Sequence, residues 1–396
     1  MFEDLQNLPA DPILGLMTAF RADPNPNKVD LGVGVYRNDA GATPVLRAVK
    51  EAERRIEASE DTKAYLPQMG DPTFNRTIVD LLFGADHDAV TGQRVRSVQT
   101  PGGCGALRIG AEVIKRSRPD ARVWVSSPTW PNHIPLIGGT GLEFKEYPYY
   151  DRAAHRIDFD AMLTALQQAK ANDVVLLHGC CHNPSGADLT PEQWHEVAAL
   201  AAHIGFTPFI DIAYQGLGQG LQEDALGIRW MAAKLPELLV ASSCSKNFGL
   251  YRERTGAIMF VAAQASQAER TQSQAAHAAR QIYSMPPAHG ALIAGAILES
   301  EELRALWEEE LTEMRDRING MRSLLVKKLN TNNVGVNFDF IEQQRGMFSF
   351  LGIKPEQVQQ LREQYGIYMV DSTRINVAGV NSGNIDYLAA SVLAVL

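Results

Sequence analysis

DVVLLHGCCHNPSGADLTPEQWHEVAALAAHIGFTPFIDIA, residues 173–213, decides the fold. DVVLLH (173–178) and TPFIDIA (207–213) are short apolar runs of the kind buried on both faces of a parallel sheet. PEQWHEVAALAAHIG (191–205) lies between them and reads as a helix. Strand, helix, strand is the unit of a parallel sheet wrapped by helices. Working outward, RSVQT (96–100), RVWVS (122–126) and LLVASS (238–243) are further strand-like runs. After RSVQT, Leu107, Gly110, Ala111 and Ile114 follow the i, i+3, i+4, i+7 spacing of a helix face.

From about residue 300 the pattern changes. EELRALWEEELTEMRDRINGMRSLLVKKL carries apolar residues at 303, 307, 311, 314, 318, 321 and 325, the stripe of one long amphipathic helix. Pro355 opens a short helix and Gly366 closes it. IYMV (367–370) and RINVAG (374–379) read as strands, and the final IDYLAASVLAVL as a helix. The expected fold class is therefore α/β, a large domain with a mainly parallel sheet, plus a smaller α+β domain joined to it by the long helix.

Composition excludes several classes. The 396 residues are 45% hydrophobic and 21% charged, with a net charge of -9, which argues against a general nucleic-acid binder. No apolar run approaches the about 18 residues of a membrane span. The N-terminal MFEDLQNLPADP is acidic and lacks the apolar region of a signal peptide. The four cysteines, Cys104, Cys180, Cys181 and Cys244, show neither a CxxC nor a Cys/His zinc spacing. No metal is expected, and a reducing cytoplasm fits best.

Polar residues gather where the apolar runs end, the place where open α/β sheets bind ligands. RSVQT runs into PGGCG, and a helix opening there offers free backbone N–H groups to an anion. DVVLLH ends in GCCHNPSG; TPFIDIA carries Asp211 and is followed by Tyr214; LLVASS leads to Ser243, Lys246 and Arg254. The anion cradle and Arg254 suggest a phosphate, and Asp211 calls for a cationic partner. Lys246 has the chemistry of a nucleophilic amine. Pyridoxal phosphate has a group for each of these, because its usual partners are a lysine and an acidic side chain at the pyridinium. A nicotinamide cofactor would want GxGxxG, which PGGCG does not supply, and it would leave Lys246 without a role.

The ordered set LGVGVYRND (31–39), TKAYLP (62–67), QTPGGCGALR (99–108), SSPTWPNH (126–133), LLHGCCHNPSGADLT (176–190), DIAYQG (211–216), SSCSKNFGLYRERTG (242–256), YSMPPAHGA (283–291), RGMFSF (345–350) and STRINVAG (372–379), together with DPILGL (11–16), resembles class I aminotransferases of fold type I, in the aspartate and aromatic amino acid subgroup. The resemblance covers essentially the whole chain. It implies that Lys246 is the lysine joined to pyridoxal phosphate, that Asp211 partners the pyridinium nitrogen and that His133 supports Asp211. Tyr214 and Asn183 match ligands of the cofactor's phenolic oxygen. Gly103, Cys104, Ser243 and Arg254 match the phosphate cup, with Tyr65 reaching in from a second subunit. Trp130 matches the residue packed beside the cofactor. Arg374 and Gly34 match binders of the substrate α-carboxylate, with Trp130 and Asn183 also at the substrate. Arg280 matches an arginine of the other subunit that receives a distal carboxylate. Asn183-Pro184 falls at a cis peptide of the family.

The implied organisation is an N-terminal arm (1–12), a large cofactor-binding domain (45–313) and a small domain from 13–44 and 314–396, in a cytoplasmic homodimer with shared active sites. The implied activity moves the amino group of Tyr, Phe, Asp or Glu to a keto acid such as 2-oxoglutarate. Departures from the pattern bear on substrate choice. Cys104 stands where many aspartate-preferring relatives carry Thr, Cys244 where Tyr is frequent, and Ile282 and Met285 where Asn is frequent near Arg280. The alternative is an aspartate aminotransferase with little aromatic activity. A decarboxylase or β-lyase on the same fold is disfavoured by Arg374 holding the α-carboxylate, and a non-catalytic binding protein by the retention of Lys246, Asp211, Tyr214 and Arg374.

Overall fold

The computed structural model describes residues 1–8, 12–331 and 336–396. Residues 9–11, within the expected arm and at the start of DPILGL, lie outside the described residues.

Seven strands form the main sheet: β1 (Val95–Pro101), β2 (Arg122–Ser127), β3 (Glu143–Pro148), β4 (Val174–His178), β5 (Thr207–Ile212), β6 (Leu238–Ser243) and β7 (Thr255–Val261). Their order is β1-β7-β6-β5-β4-β2-β3. Neighbours are parallel except β7, which runs antiparallel to both β1 and β6. The carboxyl ends of β1, β4, β5 and β6 therefore share one edge.

Strand side chains alternate between two buried layers, as the two-residue period requires. Val123, Val125, Leu176, Phe209 and Ile258 enter one core, and Trp124, Val175, Leu177, Ile210 and Met259 the other. β7 was not singled out from sequence. All seven of its residues are buried, as are the six of β6.

The helix Pro191–Ile204 is set by a capping box: Thr190 Oγ1 accepts from the Gln193 amide, and the Gln193 side chain accepts from the Thr190 amide. Gly205, at φ +90°, ends it. The long helix spans Glu301–Leu329, capped by Ser300, with Glu301 and Glu302 in its first turn and Lys327 and Lys328 in its last, matching the helix dipole. Of its apolar stripe, Leu303, Trp307, Leu311, Met314, Ile318 and Leu325 are buried.

Beyond the main sheet, Val29–Asp30 pairs in parallel with Ile367–Tyr368, and Phe348–Phe350 pairs antiparallel with Arg374–Asn376. Both C-terminal strands are shorter than expected. IYMV stops pairing after Tyr368 because its partner turns away, with Asp30 Oδ1 accepting from the Gly32 amide at 3.0 Å. RINVAG stops at Asn376, whose Oδ1 accepts from the Ala378 amide and whose Nδ2 donates to the Val33 and Val35 carbonyls. Val377–Gly379 is a 3-10 turn. No helix among the described residues is long and apolar enough to cross a membrane.

Candidate active site

β1 passes directly into the helix Gly102–Ser117, so the glycines of PGGCG form its first turn instead of a separate loop. Gly102 sits at φ +68°, and a Cβ there would lie 2.6 Å from Arg254 Nη2. Only glycine lets the helix start so near the guanidinium. The sheet register explains that nearness. Gly256 pairs with both Thr100 and Ser243, so Arg254, just ahead of β7, lands beside the ends of β1 and β6. Arg254 Nη1 donates to the Tyr251 carbonyl at 2.8 Å and to Ser245 Oγ at 3.5 Å, and Ser243 Oγ lies 3.1 Å from Ser245 Oγ.

These groups border a cavity of about 250 Å³ at the strand edge. Gly34, Gly103, Cys104, Trp130, Asn183, Asp211, Tyr214, Ser243, Lys246, Arg254 and Arg374 all line it. Tyr65 and Arg280 do not. Tyr65 is 91% exposed, and Arg280, also exposed, donates to Ser284 Oγ.

Asp211 stands on β5 with its Oδ2 2.9 Å from Nε2 of the fully buried His133. Burial pushes the carboxyl up, but the hydrogen bond from His133, with the basic groups around it, more than offsets it and holds Asp211 below the usual carboxylate range. Thr129 Oγ1 sits 2.8 Å from His133 Nδ1 and 3.3 Å from His178 Nε2, bridging the two rings. Burial, with the nearby His133, drives His178 down to about 3, so it is neutral.

Lys246 Nζ lies 5.0 Å from the centroid of the Tyr214 ring. Burial lowers the Lys246 amine below the ordinary lysine value, against the opposing pull of Asp211. Burial, reinforced by Asp211, raises Tyr214, so its phenol keeps its proton.

Arg374 is buried. Its Nη2 donates to the Gly32 carbonyl at 2.8 Å and its Nη1 to Asn183 Oδ1 at 3.4 Å, while its Nε has no hydrogen-bond partner. The guanidinium stacks on Phe348 at 4.4 Å. Among the described residues no carboxylate pairs with it, and an unpaired buried cation is costly. The site is thus built for an anion that the protein does not itself provide. The Asn183–Pro184 peptide is cis.

Several contributors had no role assigned from sequence. Thr129, His178 and Ser245 act through hydrogen bonds within the site, and Phe348 forms the wall behind Arg374 and Gly34. Ile13, Leu107, Cys180 and Ala213 also line the cavity. SSPTWPNH and RGMFSF both contain such residues, yet nothing in a Thr or a Phe alone distinguishes a site wall from ordinary core.

A family model for aminotransferase class I and II matches residues 26–392. The chain is similar to an aspartate aminotransferase of Escherichia coli (strain K12), at 50% identity over 396 residues with 100% of both chains covered. It is also similar to an aromatic-amino-acid aminotransferase of Paracoccus denitrificans, at 45% identity over 395 residues, again with 100% of both covered. Its fold matches the crystal structure of an aromatic-amino-acid aminotransferase from Burkholderia pseudomallei covalently bound to pyridoxal phosphate, with a TM-score of 0.98 and 44% identity over 100% of this chain and 99% of the other. The cavity and these likenesses agree: the chain belongs to the class I and II aminotransferase family.

Proposed function

We propose that the protein is a pyridoxal-phosphate-dependent transaminase acting on aromatic amino acids (Tyr, Phe) and on Asp and Glu, with a keto acid such as 2-oxoglutarate as acceptor. The observation that carries this is one cavity holding Lys246, an ionised Asp211 backed by His133, and an unpaired Arg374.

The residues present fit the cofactor. The helix turn at Gly102, kept open by the absence of a Cβ, faces Arg254 and suits a phosphate. An ionised Asp211 suits a protonated ring nitrogen. In this reading Lys246 would bond the cofactor through its amine, and Gly103, Cys104, Ser243 and Arg254 would hold the phosphate. Asn183 and the protonated Tyr214 would meet the phenolic oxygen, and Trp130 would pack beside the ring. Pyridoxal phosphate, when bound, supplies an electron-withdrawing ring that accepts the electron pair released as the substrate Cα–H bond breaks.

The chain's own groups do the rest. Arg374, with Gly34 beside it, grips the substrate α-carboxylate through charge-assisted hydrogen bonds and orients Cα. The lowered Lys246 amine, once free and neutral, takes the proton from Cα as general base. Asp211 keeps the positive charge opposite it in place through its own negative charge.

The same reading includes a homodimer in which Tyr65 and Arg280 of each chain complete the other's site. Both are exposed here, as are the apolar Phe2, Leu5, Leu8 and Ile282, surface that a second copy would cover. A large domain of 45–313 with a small domain of 13–44 and 314–396 is supported by the pairing of Val29–Asp30 with Ile367–Tyr368. The four free cysteines suit a reducing cytoplasm.

Dual specificity follows from balanced terms. A distal carboxylate on Arg280 gains about 1.5–3 kcal/mol, and burying an aromatic side chain gains about 1.5–3 kcal/mol. Ile282 and Met285 near the arginine favour the apolar guest. The second reading, an aspartate aminotransferase with little aromatic activity, rests on Arg280. Measuring kcat/KM for Tyr, Phe and Asp with 2-oxoglutarate separates them. An excess of Asp over both aromatics beyond about a thousandfold, roughly 4 kcal/mol, would select the second.

A further inference from the structure

Asn183 reaches the cavity from a turn with an unusual backbone. Cys181, two residues earlier, adopts φ +52°, the left-handed region that a side chain with a Cβ disfavours. One carboxylate faces that position. Asp188 Oδ2 accepts from the Cys181 amide at 2.7 Å, and Asp188 Oδ1 accepts from the His182 amide at 2.8 Å. Two adjacent backbone donors on the two oxygens of one anion make a short, charge-assisted clamp.

The clamp sits at the base of a larger brace. His182 Nδ1 lies 2.8 Å from Ser185 Oγ, the Gly186 amide donates to the His182 carbonyl at 2.7 Å, and the Arg345 amide donates to the Gly186 carbonyl at 2.7 Å. That last bond ties the turn to the segment leading to Phe348, the ring beneath Arg374. Asn183 Oδ1 in turn accepts from Arg374 Nη1. Asp188 itself is not part of the cavity wall.

We infer that Asp188 is a positioning residue: by holding the amides of Cys181 and His182 it fixes the turn that presents Asn183, and so governs cofactor and substrate affinity without touching either. The inference rests on the proposed role of Asn183 at the cofactor. A carboxylate that only stabilised the fold would lower the melting temperature and leave the affinities of the folded protein alone. A positioning carboxylate acts through Asn183, and its effect vanishes when Asn183 is gone.

The test is a double-mutant cycle read as the dissociation constant of pyridoxal phosphate from the apoprotein, titrated by absorbance and by quenching of tryptophan fluorescence. Asp188→Asn keeps the shape but presents an N–H to one of the two amides. It is expected to weaken cofactor binding about tenfold, the scale of one lost hydrogen bond to a charged group, and to raise KM for the amino donor more than it lowers kcat. In an Asn183→Ala background the same change is expected to cost less than about twofold. Equal losses in both backgrounds, or unchanged affinity in a folded Asp188→Asn protein, would overturn the inference. Should Asp188→Asn fail to fold, the cycle is run with Cys181→Gly throughout, since glycine takes the left-handed conformation without strain and tolerates a weaker clamp. The unmutated protein separates the two claims. Uptake of pyridoxal phosphate by it, with equal uptake by Asp188→Asn, overturns only the positioning role. No uptake by it overturns the functional reading and this inference together.

Discussion

Nε2 of His133 lies 2.9 Å from Oδ2 of Asp211, and the ring's other nitrogen lies 2.8 Å from the Thr129 hydroxyl. An ionised carboxylate only accepts, so Nε2 carries the hydrogen and the Thr129 hydroxyl can donate to Nδ1. The pair keeps a negative charge at the floor of a buried cavity. Asp211→Asn removes that charge and is expected to lower kcat/KM by about a thousandfold, roughly 4 kcal/mol. His133→Asn, which leaves the charge, is expected to cost about tenfold. Steady-state kinetics check both, and an Asp211→Asn enzyme within tenfold of the unmutated one would show that the charge is not needed.

The same pair sets a pH dependence. Asp211 is held below its unfolded value of about 3.9. Its ionised form therefore contributes stability above about pH 4, and the contribution is lost as pH falls through the folded value. In urea titrations of cofactor-free protein, the stability difference between the unmutated chain and Asp211→Asn should be largest at neutral pH and shrink below pH 4. A difference that grows on acidification would reverse the assignment.

Trp307, on the long helix, stacks on Phe248 at 4.4 Å and donates from Nε1 to the Asn247 carbonyl at 2.7 Å. Asn247 is the residue after Lys246, so the helix is pinned to the lysine turn. Trp307→Ala is expected to destabilise the protein by about 3–5 kcal/mol, read from the denaturation midpoint. A loss below about 1 kcal/mol would mean the site collapses around the gap.

Much of this was legible in sequence. The runs at 96–100, 122–126, 173–178, 207–213 and 238–243 are all strands of the main sheet, and the stripe from 303 to 325 is one helix. Buried parallel strands and amphipathic helices advertise themselves by local pattern. Two strands of the main sheet were not read: β7, although TGAIMFV is as fully buried as LLVASS, and the edge strand β3, whose EFKEYP is mostly exposed and polar. The ends of IYMV and RINVAG depended on where a distant partner turned away, and Asn376 ended its strand through bonds to residues 33 and 35. Among the cavity-lining residues, Asp211, Lys246 and Arg254 stood out in sequence by lying at or just beyond strand ends, whereas Arg374, Asn183 and Trp130 entered only through the family resemblance and His178 was missed. Phe348 and Thr129 work by contact with those groups, and such contact is invisible before folding.

Completion of the site by a second chain is tested by mixing one inactive variant with one impaired on dicarboxylates. Lys246→Ala and Arg280→Ala subunits, unfolded and refolded together, form a hybrid in which one site carries neither change. A mixed dimer is expected to recover up to about half the activity per site on a dicarboxylate donor. Verified heterodimers with no recovery would mean that each chain holds a complete site.

Transamination through Lys246 is tested most directly by following the absorbance of the purified, cofactor-loaded protein through two half-reactions. An amino donor added alone is expected to bleach the band of the lysine-bound cofactor, and 2-oxoglutarate added next to restore it. Lys246→Ala, folded by its melting curve, should complete neither change on the enzyme's timescale, its rate lower by several orders of magnitude. A band that the amino donor leaves intact, or a Lys246→Ala protein that cycles at a near-normal rate, would contradict the account.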